Sequence, residues 1–138
     1  MKGEFCPEKI TLFCQEVACS ECEIPNKPKR IFVSHPYGRR RGLSDKELQD
    51  NVDSAIKYGI EIIKKGHNPF IPLLYHYVSQ FDPTITEETF LSMSVEWVKQ
   101  CDALFVSSIS PGVQVEIDTA RKHLIPIYRS LSEIRSIL

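Results

Sequence analysis

The sequence predicts an α/β fold, a parallel sheet flanked by helices, with a small Cys-rich N-terminal appendage. Three observations carry this prediction. Short apolar runs such as Ile31-Phe32-Val33 and Ala103-Leu104-Phe105-Val106 alternate with longer stretches whose apolar residues recur every three or four positions. Each run breaks at a Pro, Gly or Ser loop. Strands alternating with helices at this spacing imply parallel pairing through right-handed crossovers. Four of the five cysteines fall in the first 22 residues, apart from this pattern. With 138 residues, 42% hydrophobic and 25% charged, the chain fits one compact domain and is not of a disordered or low-complexity class.

The elements follow in order. Ile24 to Arg30 is polar and bracketed by Pro25 and Pro28, so it reads as a linker between a segment 1–28 and a domain 29–138. Arg30-Ile31-Phe32-Val33-Ser34 reads as a buried strand ending in the loop His35-Pro36-Tyr37-Gly38-Arg39-Arg40-Arg41-Gly42. Ser44-Asp45-Lys46-Glu47 has the form of a capping box and starts a helix. Its buried stripe is read as Leu48, Val52, Ala55, Ile56, Ile60 and Ile63, and Gly66 stops it. Asn68 to Pro72 reads as a second strand, and Leu73 to Pro83 as an aromatic-rich connection. Thr84 to Glu87 offers a cap for a second helix carrying Phe90, Leu91, Met93, Val95, Trp97 and Val98, with Trp97 in the core. Asp102 introduces the third strand, Ala103–Val106. Ser110 caps a helix with Pro111 at its first position and Val113, Ile117, Ala120 and Leu124 as its stripe. Ile125 to Tyr128 reads as the last strand and Ser130 to Leu138 as a closing short helix.

Composition also narrows function. The net charge of −1 argues against bulk nucleic-acid binding. No apolar run approaches the ~20 residues of a membrane span. The start Met1-Lys2-Gly3-Glu4 lacks the apolar core of a signal peptide, so the expectation is a soluble protein of the reducing cytosol. There, Cys6, Cys14, Cys19 and Cys22, spaced C-x7-C-x4-C-x2-C, point to a metal before disulfides. Four thiolates suit a structural zinc, with an iron–sulfur cluster or free thiols as the alternatives.

Ligands of parallel sheets bind beyond the carboxyl ends of the strands. Two loops fall there, Ser34 to Gly42 and Ser107 to Gly112. The second feeds a helix N-terminus, which attracts anions; Ser110 adds a hydroxyl and Gly112 permits close approach. Neither matches a Walker A or G-x-G-x-x-G pattern. Glu116 lies ~60° around that helix from Val113, at the margin of the apolar stripe, where a carboxylate can serve as nucleophile or base. The alternative is an ordinary exposed glutamate. Asp102 faces substrate or merely turns the chain; the Arg39-Arg40-Arg41 run holds phosphate or is solvated; His35 and Tyr37 abut the crevice. Tyr75 and His76 are placed to cover a base, and His67 reads as structural.

Ile31-Phe32-Val33-Ser34-His35-Pro36-Tyr37 resembles the opening strand and loop of the nucleoside 2-deoxyribosyltransferase-like superfamily. Cys101-Asp102-Ala103-Leu104-Phe105-Val106 with Ser110-Pro111-Gly112-Val113-Gln114-Val115-Glu116 is similar to its second signature, as is Ala120 with Ile125-Pro126-Ile127. Asn51, Gly66-His67-Asn68-Pro69 and Leu74-Tyr75 resemble an uncharacterised bacterial and phage branch. The resemblance spans roughly residues 30–129 and implies a flavodoxin-like, Rossmannoid sheet. It further implies a hydrolase or transferase, an N-glycosidase acting on nucleosides or their 5′-monophosphates, with no catalytic cofactor and a homo-oligomeric assembly. Glu116 would attack the anomeric carbon. Ser110 and Gly112 would hold phosphate or sugar, and Ser34, His35, Pro36, Tyr37, Gly38, Arg39 and Asp102 would complete the substrate site. Where active members carry a second carboxylate this chain has Ser94, and where they tend to have a first-strand tyrosine it has Phe32. Two other readings stand beside this one. The first is a non-catalytic nucleotide-binding module with a zinc knuckle. The second is an NAD-cleaving enzyme like Toll/interleukin-1 receptor domains, which pair a strand-loop resembling Phe32-Val33-Ser34-His35 with a helix glutamate.

Overall fold

The computed structural model describes residues 27–138, and the four clustered cysteines proposed to bind zinc lie outside them. Four strands, β1 (Arg30–Ser34), β2 (Asn68–Phe70), β3 (Ala103–Val106) and β4 (Ile127–Tyr128), form one parallel sheet in the order β2-β1-β3-β4. Helices α1 (Asp45–Lys64), α2 (Tyr75–Phe81), α3 (Glu87–Gln100) and α4 (Pro111–Lys122) complete the α/β architecture. None of the described helices is long and apolar enough to cross a membrane.

Strand residues alternate between the two faces of the sheet. Ile31, Val33, Ala103 and Phe105 face α1, where they pack with Ile62 and with Ile134 of the C-terminal tail. Phe32, Leu104 and Val106 face the other way, onto Val98 of α3 and Val113, Ile117 and Ala120 of α4. Ser34 shares the parity of Phe32, so its hydroxyl is aimed at α4. Because both faces are covered, β1 and β3 read as unbroken apolar runs rather than alternating ones.

α1 starts as the sequence predicts: Glu47 N donates to Ser44 Oγ at 3.2 Å and Ser44 N to Glu47 Oε1 at 2.9 Å. Its stripe is Leu48, Val52, Ala55, Gly59 and Ile62; the expected Ile60 and Ile63 are exposed. The correction has a steric cause. A Cβ on Gly59 would lie 2.4 Å from Ile71 Cδ1, so the missing side chain makes room for Ile71. Gly66, at φ +94, reverses the chain as expected, and Gly66 N and His67 N donate to the carbonyls of Ile63 and Ile62.

Other expectations are corrected. The connection after β2 contains α2, and α3 is capped by Thr86, whose Oγ1 accepts from Thr89 N, rather than from Thr84. Trp97 is 43% exposed and stacks on Phe70 with ring centroids 4.6 Å apart. Leu124 lies beyond the end of α4 at φ +58 and is 90% exposed, taking the left-handed turn position usually given to glycine. The expected closing helix is only a single turn, Leu131–Glu133. Beyond it, Ile134 is extended and buried, Arg135 O accepts from His67 Nε2 at 2.7 Å, and Ile137 N donates to Lys65 O at 2.9 Å. These groups are satisfied across the molecule, so they are not available to a helix. His67 also accepts from Lys29 N through Nδ1 at 3.0 Å and ties the tail to the start of β1, which is a structural role.

Candidate active site

The order β2-β1-β3-β4 means that the chain leaves β1 toward one side of the sheet and β3 toward the other. A crevice opens at such a switch point, beyond the carboxyl ends of the strands. The register Ser34↔Val106 brings those ends side by side, and Ser107 N donates to Ser34 O at 3.2 Å. A cleft of about 820 Å³, counting the part open to solvent, occupies this place.

Glu116 is the buried acid of the cleft. It occupies the second turn of α4 on the same stripe as Val113, Ile117 and Ala120, and it is only 7% exposed. The exposed alternative is thereby removed. Ser34 Oγ donates to Glu116 Oε1 at 2.5 Å. Burial pushes the Glu116 pKa up to about 7; hydrogen bonds from Ser34 and Ser94 act in the opposite direction but do not offset it. A carboxyl group poised near neutrality in a cleft is the kind of group catalysis uses.

The wall above Glu116 is the N-terminus of α4. Ser110 Oγ accepts from Val113 N at 3.2 Å, and Pro111 occupies the first helical position without needing a hydrogen-bond partner. A Cβ on Gly112 would meet no protein atom within 4 Å, so its backbone is open to the cleft. The opposite wall is the loop after β1. Gly38 turns it at φ +95, and Asn51 Nδ2 of α1 donates to Tyr37 O at 2.7 Å. Tyr37 Oη lies 2.5 Å from His76 Nδ1. His35 Nδ1 is bonded to Ser107 Oγ, and burial lowers the His35 pKa. An apolar wall is built by Pro72, Leu73, Leu91 and the parallel pair Tyr75 and Phe90, whose centroids are 5.4 Å apart.

Of the residues expected in the site, His35, Tyr37, Gly38, Ser110, Gly112 and Glu116 line the cleft together. Ser34 stands behind Glu116. Pro36 is half-buried but is not in the cleft wall. Arg39 turns away, donating to the carbonyls of Pro83 at 2.9 Å and Ile85 at 3.1 Å, so it pins the loop before α3; Arg41 of the same run is the one at the cleft. Asp102 lies at the other end of the sheet, where its Oδ2 accepts from Arg30 N at 2.8 Å. Burial works against its ionisation, but the Arg30 hydrogen bonds and charge outweigh this and hold its pKa below the ordinary value. It therefore acts as a strand-end anchor, the turn-residue alternative. Glu87, Phe90, Leu91, Pro72 and Leu73 also line the wall, and none of them carries a site signal in the sequence.

Residues 29–130 match the family described as a domain of unknown function, DUF7768. The chain belongs to the DUF7768 family. No curated protein matches it. The matched region runs from before β1 to beyond β4, so every cleft residue named above is part of the DUF7768 domain. Among the described residues, no three His, Cys, Asp or Glu side chains are grouped as a metal site.

Proposed function

We propose that this DUF7768 domain is an N-glycosidase or base-exchanging transferase that cleaves the bond between sugar and base in nucleosides or their 5′-monophosphates. The observation that carries the reading is the buried Glu116 carboxyl, held by Ser34 in the wall of the cleft beyond the strand ends. Breaking the bond builds positive charge on the sugar ring. A carboxylate in a poorly solvated site stabilises that charge strongly and then captures the anomeric carbon as an ester. Water or a second base releases the sugar. With a pKa of about 7, Glu116 is about half ionised at neutral pH, and the Ser34 hydroxyl supports the anion.

The surrounding groups fit the rest of such a substrate. Ser110, the open Gly112 backbone and the α4 N-terminus suit a sugar hydroxyl or phosphate, with Arg41 across the cleft. The Tyr75 and Phe90 wall suits a flat base. The strand order also supports a flavodoxin-like version of the fold, whose sheets begin 2-1-3-4.

The test is chromatographic detection of free base from a panel of deoxynucleosides, ribonucleosides, their 5′-monophosphates and NAD. Release by wild type and none by Glu116→Ala supports the reading. Release from NAD alone moves it to the NAD-cleaving class, and tight binding without release makes the domain a nucleotide-binding module. The zinc proposed for Cys6, Cys14, Cys19 and Cys22 is tested separately by elemental analysis of protein prepared without chelator.

A further inference from the structure

Once Glu116 is esterified it cannot also accept the proton of the incoming water, and Ser94, which bonds to it, is not a base. The reaction needs a second proton carrier in the same cleft. We propose that Tyr37 and His76 are that carrier: the Tyr37 oxygen gives a proton to the leaving base and later takes one from water, and His76 Nδ1 replaces that proton in the first step and takes it back in the second. This inference rests on the glycosidase reading and deepens it.

The Gln49 contacts favour one tautomer of His76. Gln49 Nε2 donates to Asp53 Oδ1 and Tyr77 Oη, both at 2.9 Å, so the Gln49 oxygen is the atom that faces His76 Nε2, at 3.3 Å. Nε2 therefore carries a hydrogen, and in neutral His76 the Nδ1 lone pair points at Tyr37 Oη, 2.5 Å away. The Gln80 amide nitrogen lies 3.2 Å from the same Nε2, so the proposed tautomer requires the Gln80 amide to turn its oxygen inward. His76 is buried, the rings meet edge to face, and Asn51 pins the Tyr37 backbone. Both Tyr37 and His76 line the cleft with Glu116.

The proton balance closes. In the first step the C–N bond breaks, its electron pair leaves with the base, and Glu116 bonds to the anomeric carbon. The base takes the Tyr37 proton while doubly protonated His76 passes its Nδ1 proton to Tyr37, which leaves His76 neutral. In the second step water attacks the anomeric carbon and the ester bond returns its electron pair to Glu116. The water proton moves to Tyr37, and the Tyr37 proton returns to Nδ1.

The test compares Tyr37→Phe, His76→Gln and the double variant on the best nucleoside of the panel and on 4-nitrophenyl 2-deoxyriboside, whose leaving group departs without a proton. On the nucleoside, kcat should fall ~10²–10³-fold with little change in KM, and the double variant should be no slower than the singles. On the nitrophenyl compound the first-turnover burst should persist while the second step slows. This contrast is read within each variant, so partial misfolding does not imitate it. Wild-type turnover with both single variants within threefold would overturn the inference and leave the glycosidase reading intact. So would a burst slowed as much as the nucleoside reaction, or the same signature from Glu87→Gln alone. No base release by wild type would sink the glycosidase reading and this inference with it.

Discussion

Replacing Glu116 by Gln keeps an oxygen for Ser34 but removes the charge, and its consequences can be worked out from the structure. The carboxyl titrates near 4.5 when unfolded and at about 7 when folded. Between those values the folded protein holds a proton that the unfolded chain has released, so stability falls as pH rises from about 4.5 to 7 and is level beyond. The difference of 4.5 to about 7 corresponds to about 3 kcal/mol, to be read as an order of magnitude. Glu116→Gln has no such slope. Near pH 4, where Glu116 is neutral in both states, the two proteins should be about equally stable. At pH 8 the variant should be more stable by up to about 3 kcal/mol, a urea midpoint higher by ~1–3 M. Urea unfolding at pH 4, 6 and 8 with unchanged m-values checks this. An equal pH slope in the two proteins, or a variant less stable at pH 8, would refute the claim that Glu116 is held in a poorly solvated site against its preference for water. Activity should move oppositely, falling by at least ~10³-fold, because a destabilised group at an active site is kept for its chemistry.

Three further outcomes are expected. Ser34→Ala removes the donor that favours the Glu116 anion, so the ionisation limb of the rate profile should move to higher pH, with a stability loss of about 1–2 kcal/mol in thermal unfolding. Gly66→Ala places a Cβ at φ +94, 2.6 Å from Ile137, and should lower stability by about 1–2 kcal/mol in urea titration without altering base release. Ser110→Ala loses the α4 cap and should cost ~1 kcal/mol; if Ser110 also meets the substrate, KM should rise beyond that seen when a cap outside the cleft lining is removed by Ser44→Ala.

Local signals were legible in the sequence. The β1 and β3 runs, the Ser44 capping box, the Ser110–Pro111 start of α4 and the glycine stop at Gly66 depend on neighbours within four residues, and the structure places them as expected. What failed depended on distant partners. Gly59 escapes a hydropathy pattern because it has no side chain, yet Ile71 requires it. The tail after Glu133 has helical composition, but His67 and Lys65 hold its backbone extended. The same division runs through the cleft. Glu116 and the two loops followed from one helix and the strand ends, and strand parity explains why Ser34 backs Glu116. Glu87, Phe90 and Leu91 enter the wall only because the loop clamped by Arg39 brings α3 there, and no spacing in the sequence encodes that long-range contact. Asp102 sits beside the second loop in sequence but at the far end of β3 in space, a distinction that sequence proximity conceals.

The central claim is that Glu116 bonds to a sugar carbon, and trapping that bond tests it most directly. A nucleoside bearing fluorine at the 2-position of its sugar slows both steps, because the electronegative substituent destabilises the positive ring. Peptide mass spectrometry after incubation should find the fluorosugar on the fragment containing Glu116, with one base released per chain. Base release with the adduct on another residue, or with no adduct at any time, would contradict the account.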